Sequence, residues 1–149
     1  MGEEQLKSIF QQIASRLESR RDSLSEIKKL ENSSNGSKGM GIEGWLQVEA
    51  VKALGEKIKK VQNRGPDLII DDNGKKFDIE LKGMSNFSVT DNSFKAHQAD
   101  TYLFLCDFDG NQEKKLERLK NIKKWKLIDY RKFNDGVGDW ILFMMKFKS

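Results

Sequence analysis

Asn73-Gly74 stands between two apolar, strand-like runs, Leu68-Ile69-Ile70 and Phe77-Asp78-Ile79-Glu80-Leu81. Asn-Gly tolerates the positive φ that both central positions of a type I′ turn require, and it is the strongest short-range hairpin signal. A two-residue turn also fixes the register. Asp72 faces Lys75, and counting back pair by pair puts Asp67 opposite Glu80. Side chains alternate faces along a strand. Phe77, Ile79 and Leu81 therefore share one face, and Asp78, Glu80 and Lys82 share the other.

Facing residues lie with their Cβ atoms about 4.5–5.5 Å apart. Two carboxylates that close repel each other unless something positive sits between them. Mg²⁺, with oxygen ligands at about 2.0–2.1 Å, suits that position, and Lys82 brings an ammonium to the same place. The combination suits phosphodiester hydrolysis. A metal withdraws charge from the phosphate and activates water. A lysine can orient or deprotonate that water, or stabilise developing charge. The tripeptide acid-x-Lys is cheap in a chain with 34% charged residues, and Glu26-Ile27-Lys28 and Glu113-Lys114-Lys115 also match it. Those two fall in predicted helices without an upstream acid. The context at Pro66-Asp67, a hairpin and an apolar strand sets the third match apart from a solvated surface pair.

Around the hairpin, Leu6, Phe10, Ile13, Leu17, Leu24 and Ile27 follow a four-three spacing, interrupted where Arg20 takes an apolar slot. This predicts a helix from about Gln5 to Leu30, either docked on its own domain or paired with a second copy. Asn32–Gly41 is a Gly/Ser-rich linker without the spacing of a P-loop. Trp45, Leu46, Val48, Val51, Leu54 and Ile58 predict a helix from Ile42 to about Lys60, weakened or ended at Gly55. Beyond the hairpin come a polar, partly helical stretch (Ser85–Asp100), a buried strand (Thr101–Phe108), a basic helix (Gln112–Lys124), and strands at Lys126–Tyr130 and Trp140–Phe147 with a turn near Gly136-Val137-Gly138. This order predicts an α/β mixed sheet flanked by helices. It divides the chain into an N-terminal helical extension (1–31), a linker (32–41) and a core (42–149).

The 149 residues suffice for one domain with a real core, since a domain this size buries roughly 68–70% of its unfolded surface. No apolar run approaches the roughly 20 residues of a membrane span, and the acidic N-terminus is unlike a signal peptide. The expected setting is cytoplasmic. Cys106 lies in an apolar run and, with no Cys/His cluster for zinc, reads as a buried thiol. A net charge of +4 permits a polyanionic partner without demanding one.

Gly-Pro-Asp67, a hairpin, and Glu80-Leu81-Lys82 resemble the PD-(D/E)xK nuclease superfamily, which includes many restriction endonucleases. The resemblance covers about Gly39 to Phe108. It implies a restriction-endonuclease-like mixed sheet, Mg²⁺ (with Mn²⁺ as a substitute) on Asp67, Glu80 and the Leu81 main-chain carbonyl, and Lys82 as catalytic lysine. Many members add a glutamate from the helix before the hairpin. Glu43 and Glu49 are the candidates here, and Gly39-x-x-x-Glu43 is closer to the family pattern. At 3.6 residues per turn the two are about 240° apart on a helix, so both do not face one metal. Gln98-x-x-x-Tyr102 is similar to a late motif of exonuclease-like members, although Tyr102 also suits a core. His97 suits a helix-end position better than a general base.

Basic residues at Lys114, Lys115, Arg118, Lys120, Lys123, Lys124, Lys126, Arg131 and Lys132 could follow a phosphate backbone. Lys38 in the linker, and Asn86, Ser88, Asn92 and Lys95 in the polar loop after the motif, are candidate DNA contacts. The resulting expectation is a DNA endonuclease, foremost a homodimeric type II restriction enzyme pairing through its N-terminal helix. A Holliday-junction resolvase or repair nuclease of the same fold is the alternative. A non-catalytic DNA-binding protein with this fold is a third reading, disfavoured by the intact acid, acid and lysine.

Overall fold

The computed structural model describes residues 2–24, 27, 40–62, 66–84, 87, 89–108 and 112–148, the side chains at 40, 91 and 112 excepted. Among the described residues, three helices, α1 (Glu3–Ser19), α2 (Met40–Leu54) and α3 (Gln112–Lys120), accompany six strands. The strands are β1 (Ile58–Val61), β2 (Leu68–Asp72), β3 (Lys75–Met84), β4 (Thr101–Asp107), β5 (Trp125–Asn134) and β6 (Asp139–Phe147). They form one mixed sheet in the order β1-β2-β3-β4-β6-β5. Only β3 and β4 run parallel; the other neighbours are antiparallel.

The turn is built as its sequence demands. Asn73 and Gly74 have φ of 55° and 89°, as in a type I′ hairpin. Asp72 faces Lys75, and the ladder runs back to Leu68 opposite Ile79. Each face of the sheet then has its own core. Leu68, Ile70, Ile79, Leu81, Leu103 and Leu142 pack beneath α1 and α2. Tyr102, Phe104, Ile141 and Phe143 pack beneath α3 and the segment around Val89 and Phe94. The central strand β4 is buried along its whole length, as expected where both faces are covered.

Several expectations are corrected. The first helix is shorter than Gln5–Leu30 and is not an extension set apart from the core. Leu6, Ile9, Phe10, Ile13 and Leu17 are buried in one cluster with the sheet residues. The stripe offered as a pairing face for a second copy is covered by the chain itself. Arg20 interrupts that stripe because it points at Glu49, 3.5 Å away. The helix α2 stops at Leu54 because Gly55 takes a φ of 56°, a left-handed end that glycine adopts without strain. The segment read as its last turn is instead the edge strand β1, pairing with β2. Among its described residues, the polar stretch before β4 holds a short 3-10 turn, Asp91–Ser93, and no α-helix. The last helix ends at Lys120, which leaves Lys123 and Lys124 in the loop before β5. Residues 32–39 of the linker lie outside the described residues; Met40 and Gly41 already belong to α2. Among the described residues, no helix is long and apolar enough to cross a membrane.

Candidate active site

Glu80 and Lys82 project from the β3 face opposite Ile79 and Leu81, because the apolar alternation of that strand is claimed by the core under α2. Lys82 Nζ lies 3.4 Å from Glu80 Oε2, and the two side chains are 39% and 12% exposed. Asp67 joins them differently from the sequence expectation. The ladder stops one pair short of Asp67–Glu80. Instead the Leu81 N–H donates to Asp67 Oδ2 at 2.8 Å.

Proline explains the change. Narrow, hydrogen-bonded pairs alternate along an antiparallel ladder, so after Leu68–Ile79 the next would be Pro66–Leu81. Pro66 has no N–H to give. The Asp67 carboxylate takes the Leu81 N–H, and Asp67 O accepts from Gln62 N–H at 3.1 Å. In an extended strand a residue's N–H and C=O lie on the same edge, so the Leu81 carbonyl also faces the edge where β2 has ended.

The electrostatics are those of an acid short of a cation. Burial, and next the Asp67 charge, raise the Glu80 carboxyl above its ordinary range, against the opposing pull of Lys82. Glu80 Oε1 is buried without a hydrogen-bond partner, alone in this among the side-chain atoms of the described residues. An orphaned buried carboxylate oxygen costs about 1–3 kcal/mol or more. Asp67 is close enough for its charge to act on Glu80, and paired carboxylate oxygens suit a hard cation such as Mg²⁺.

Of the two candidate glutamates, Glu49 is 2% exposed and holds Arg16 at 2.7 Å and Arg20 at 3.5 Å. It fastens α1 to α2. Glu43, at the start of α2, accepts the Gly83 N–H at 3.3 Å, next to Lys82. That approach needs glycine: a Cβ on Gly83 would stand 2.6 Å from the Glu43 backbone nitrogen. Glu43 comes from the helix side of the sheet. Among the described residues, no three acidic, His or Cys side chains gather around a common metal position.

Tyr102 faces Glu80 across β3–β4 and is fully buried. Its hydroxyl accepts from Lys95 N–H at 3.0 Å and lies 3.3 Å from both Lys95 O and Gln98 Oε1. It acts as core and as anchor of the preceding loop. His97 is exposed in that loop. Cys106 is buried, and burial pushes its thiol far up, which removes it as a nucleophile.

The basic candidates divide. Lys120 extends from α3, on the same sheet face as Glu80 and Lys82, and is 3.8 Å from Glu117. Lys123, Lys124, Asn92 and Lys95 are exposed around the same face. Lys38, Asn86 and Ser88 lie outside the described residues. Sequence reasoning missed Gly83 and the part played by Pro66. The first was invisible without the helix that touches it; the second follows from the register once the hairpin is accepted. Comparison with protein-family models, curated proteins and solved structures finds no match to this chain.

Proposed function

We propose that this chain is a Mg²⁺-dependent DNA endonuclease of the PD-(D/E)xK kind, hydrolysing phosphodiester bonds at Asp67, Glu80 and Lys82. The observation that carries the reading is the unpartnered, buried Oε1 of Glu80 beside a second acid and a lysine. Asp67, Glu80 and the Leu81 carbonyl would hold Mg²⁺, or Mn²⁺ in its place. Such a metal supplies Lewis-acid polarisation of a phosphoryl oxygen.

The rest is the work of the chain's own groups. The Leu81 N–H pins one Asp67 oxygen and leaves the other for the cation. Lys82, held at Glu80, offers its ammonium protons to a non-bridging phosphate oxygen or to the attacking water. Glu43 is held at the Gly83 N–H on the neighbouring residue. Basic residues of α3 and the following loop share the sheet face of the site, which suits a phosphate backbone.

The deciding experiment offers plasmid, linear duplex and four-way junction DNA to the protein with Mg²⁺. Discrete plasmid bands mark a restriction-type enzyme, and cutting confined to the junction marks a resolvase. EDTA stops either reaction. Asp67→Asn, which keeps an acceptor for the Leu81 N–H, lowers the rate by at least about a hundredfold, the scale of losing one electrostatic contact to the transition state. Undiminished cleavage by that variant, or none by the wild type on any substrate, sinks the proposal.

A further inference from the structure

On the sheet face that carries Glu80 and Lys82, a second feature lies at the opposite edge of the fold. An open cavity of about 460 Å³ is walled by Phe94, Trp125 and Phe147, with Asn92, Lys123 and Lys124 among its rim residues. Its volume falls within the roughly 300–1,000 Å³ of small-molecule sites. The strand carrying Trp125 is three steps from β3 in the order β3-β4-β6-β5. At about 4.8 Å per step this is about 14 Å, or about four stacked bases at 3.4 Å each.

The walls are a continuous aromatic surface. Phe94 stacks on Trp125 with centroids 5.1 Å apart, and Trp125 meets Phe147 at 5.3 Å. Phe94 also touches Tyr102, the cross-strand neighbour of Glu80, so the rings bridge the cavity to the site. The indole N–H of Trp140 is spent on Asp135 at 2.8 Å. Trp125 lines the cavity. Lys123 and Lys124 are exposed at the mouth. The half-buried ring of Phe147, backed by the buried rings of Phe94 and Trp125, and two exposed cations match the two halves of a nucleotide: stacking is sequence-tolerant because every base has a π-face, and the cations suit phosphates.

We propose that this cavity receives one unstacked nucleobase of the bound strand, with Lys123 and Lys124 on the flanking phosphates. The identity of the strand as substrate rests on the nuclease reading above; the binding itself does not. The test uses the full chain in EDTA, with a short labelled single-stranded DNA and an abasic strand of the same length. Wild type binds the base-bearing strand at least about fivefold more tightly, the lower limit for one stacked base. Ala96→Trp, which plugs the cavity from an exposed turn residue on its lining, and Phe147→Ser, which removes a half-buried wall, bring that ratio towards one. Lys123→Gln with Lys124→Gln weakens both strands and flattens the salt dependence while keeping the ratio. Equal binding of the two strands by the wild type overturns the proposal, as does a ratio that survives in both cavity variants. Base-dependent binding without cleavage on any DNA upholds the cavity and defeats the nuclease reading. Cleavage without base preference does the reverse.

Discussion

Burial and the Asp67 charge both favour the protonated form of Glu80, and the nearby Lys82 offsets them incompletely. For an acid whose folded pKa is raised, the stabilising contribution is complete below its ordinary value and is lost as pH rises through the folded value. Without metal, an ionised Glu80 therefore weighs against the fold at neutral pH. Glu80→Gln is expected to melt above the wild type in EDTA at neutral pH, by about 2–4 °C for each kcal/mol removed. The gap closes as pH falls towards the ordinary 4.5 of a glutamate. If Mg²⁺ binds at the proposed site, it is expected to add about 2.7 kcal/mol to wild-type stability at a hundred times its Kd and to leave the variant nearly unmoved. Calorimetric scans across pH check both statements. A variant less stable than the wild type throughout would show that Glu80 is satisfied in the metal-free fold. The roles of the two α2 glutamates also separate at this scale. Glu49 answers to Arg16 and Arg20, and Glu43 to the backbone beside Lys82.

The hairpin and the helix above it position these side chains together. A slip of one residue in β2–β3 would turn Asp67 or Glu80 to the opposite face; the type I′ turn at Asn73-Gly74 prevents that slip. The second constraint is the close seating of α2 on β3 at Gly83. Gly83→Ala forces a methyl to 2.6 Å from the Glu43 backbone nitrogen and 2.8 Å from Ile42 Cγ2. Backbone cannot yield as a flexible side chain does. The expected cost is about 1–3 kcal/mol, as for overpacked cores, together with loss of the Glu43 contact. Denaturant unfolding reads the first effect and DNA cleavage the second. Unchanged stability would mean that α2 stands off from the sheet in solution. The pattern of α2 explains why its end was misread. Ile58 continues the apolar spacing of the helix, yet Gly55 turns the chain and makes Ile58 the first residue of an edge strand.

Across the whole molecule, α1 is part of the core and not an appendage. Its five large buried side chains, Leu6, Ile9, Phe10, Ile13 and Leu17, are each worth about 1.5–3 kcal/mol. Their sum, of order 10 kcal/mol, rivals the whole net stability of a typical domain. Glu3–Lys126 at 2.9 Å, Arg131–Glu18 at 3.4 Å and the hydrogen bond from Gln5 Nε2 to Asp72 O at 3.0 Å fasten the helix to both halves of the sheet. Deleting residues 1–20 is therefore expected to abolish cooperative unfolding, checked by circular dichroism melts. A shortened chain that melts sharply as a monomer would restore the helix to the status of an extension.

The sequence by itself determined the hairpin, its register, and the face on which Glu80 and Lys82 stand. Turn chemistry and a period of two act over a few neighbouring residues and need no distant partner. It also held the reason the β2–β3 ladder ends before Leu81, because a missing N–H on Pro66 is a covalent fact. Only the tertiary structure decided what covers the α1 stripe, which glutamate approaches β3, and why Arg20 stands among apolar residues. Those answers depend on contacts between residues far apart in the chain, such as Arg16 with Glu49 and Gly83 with Glu43. A spacing pattern states that a face must be buried. The partner that buries it is chosen by the packing of the whole chain.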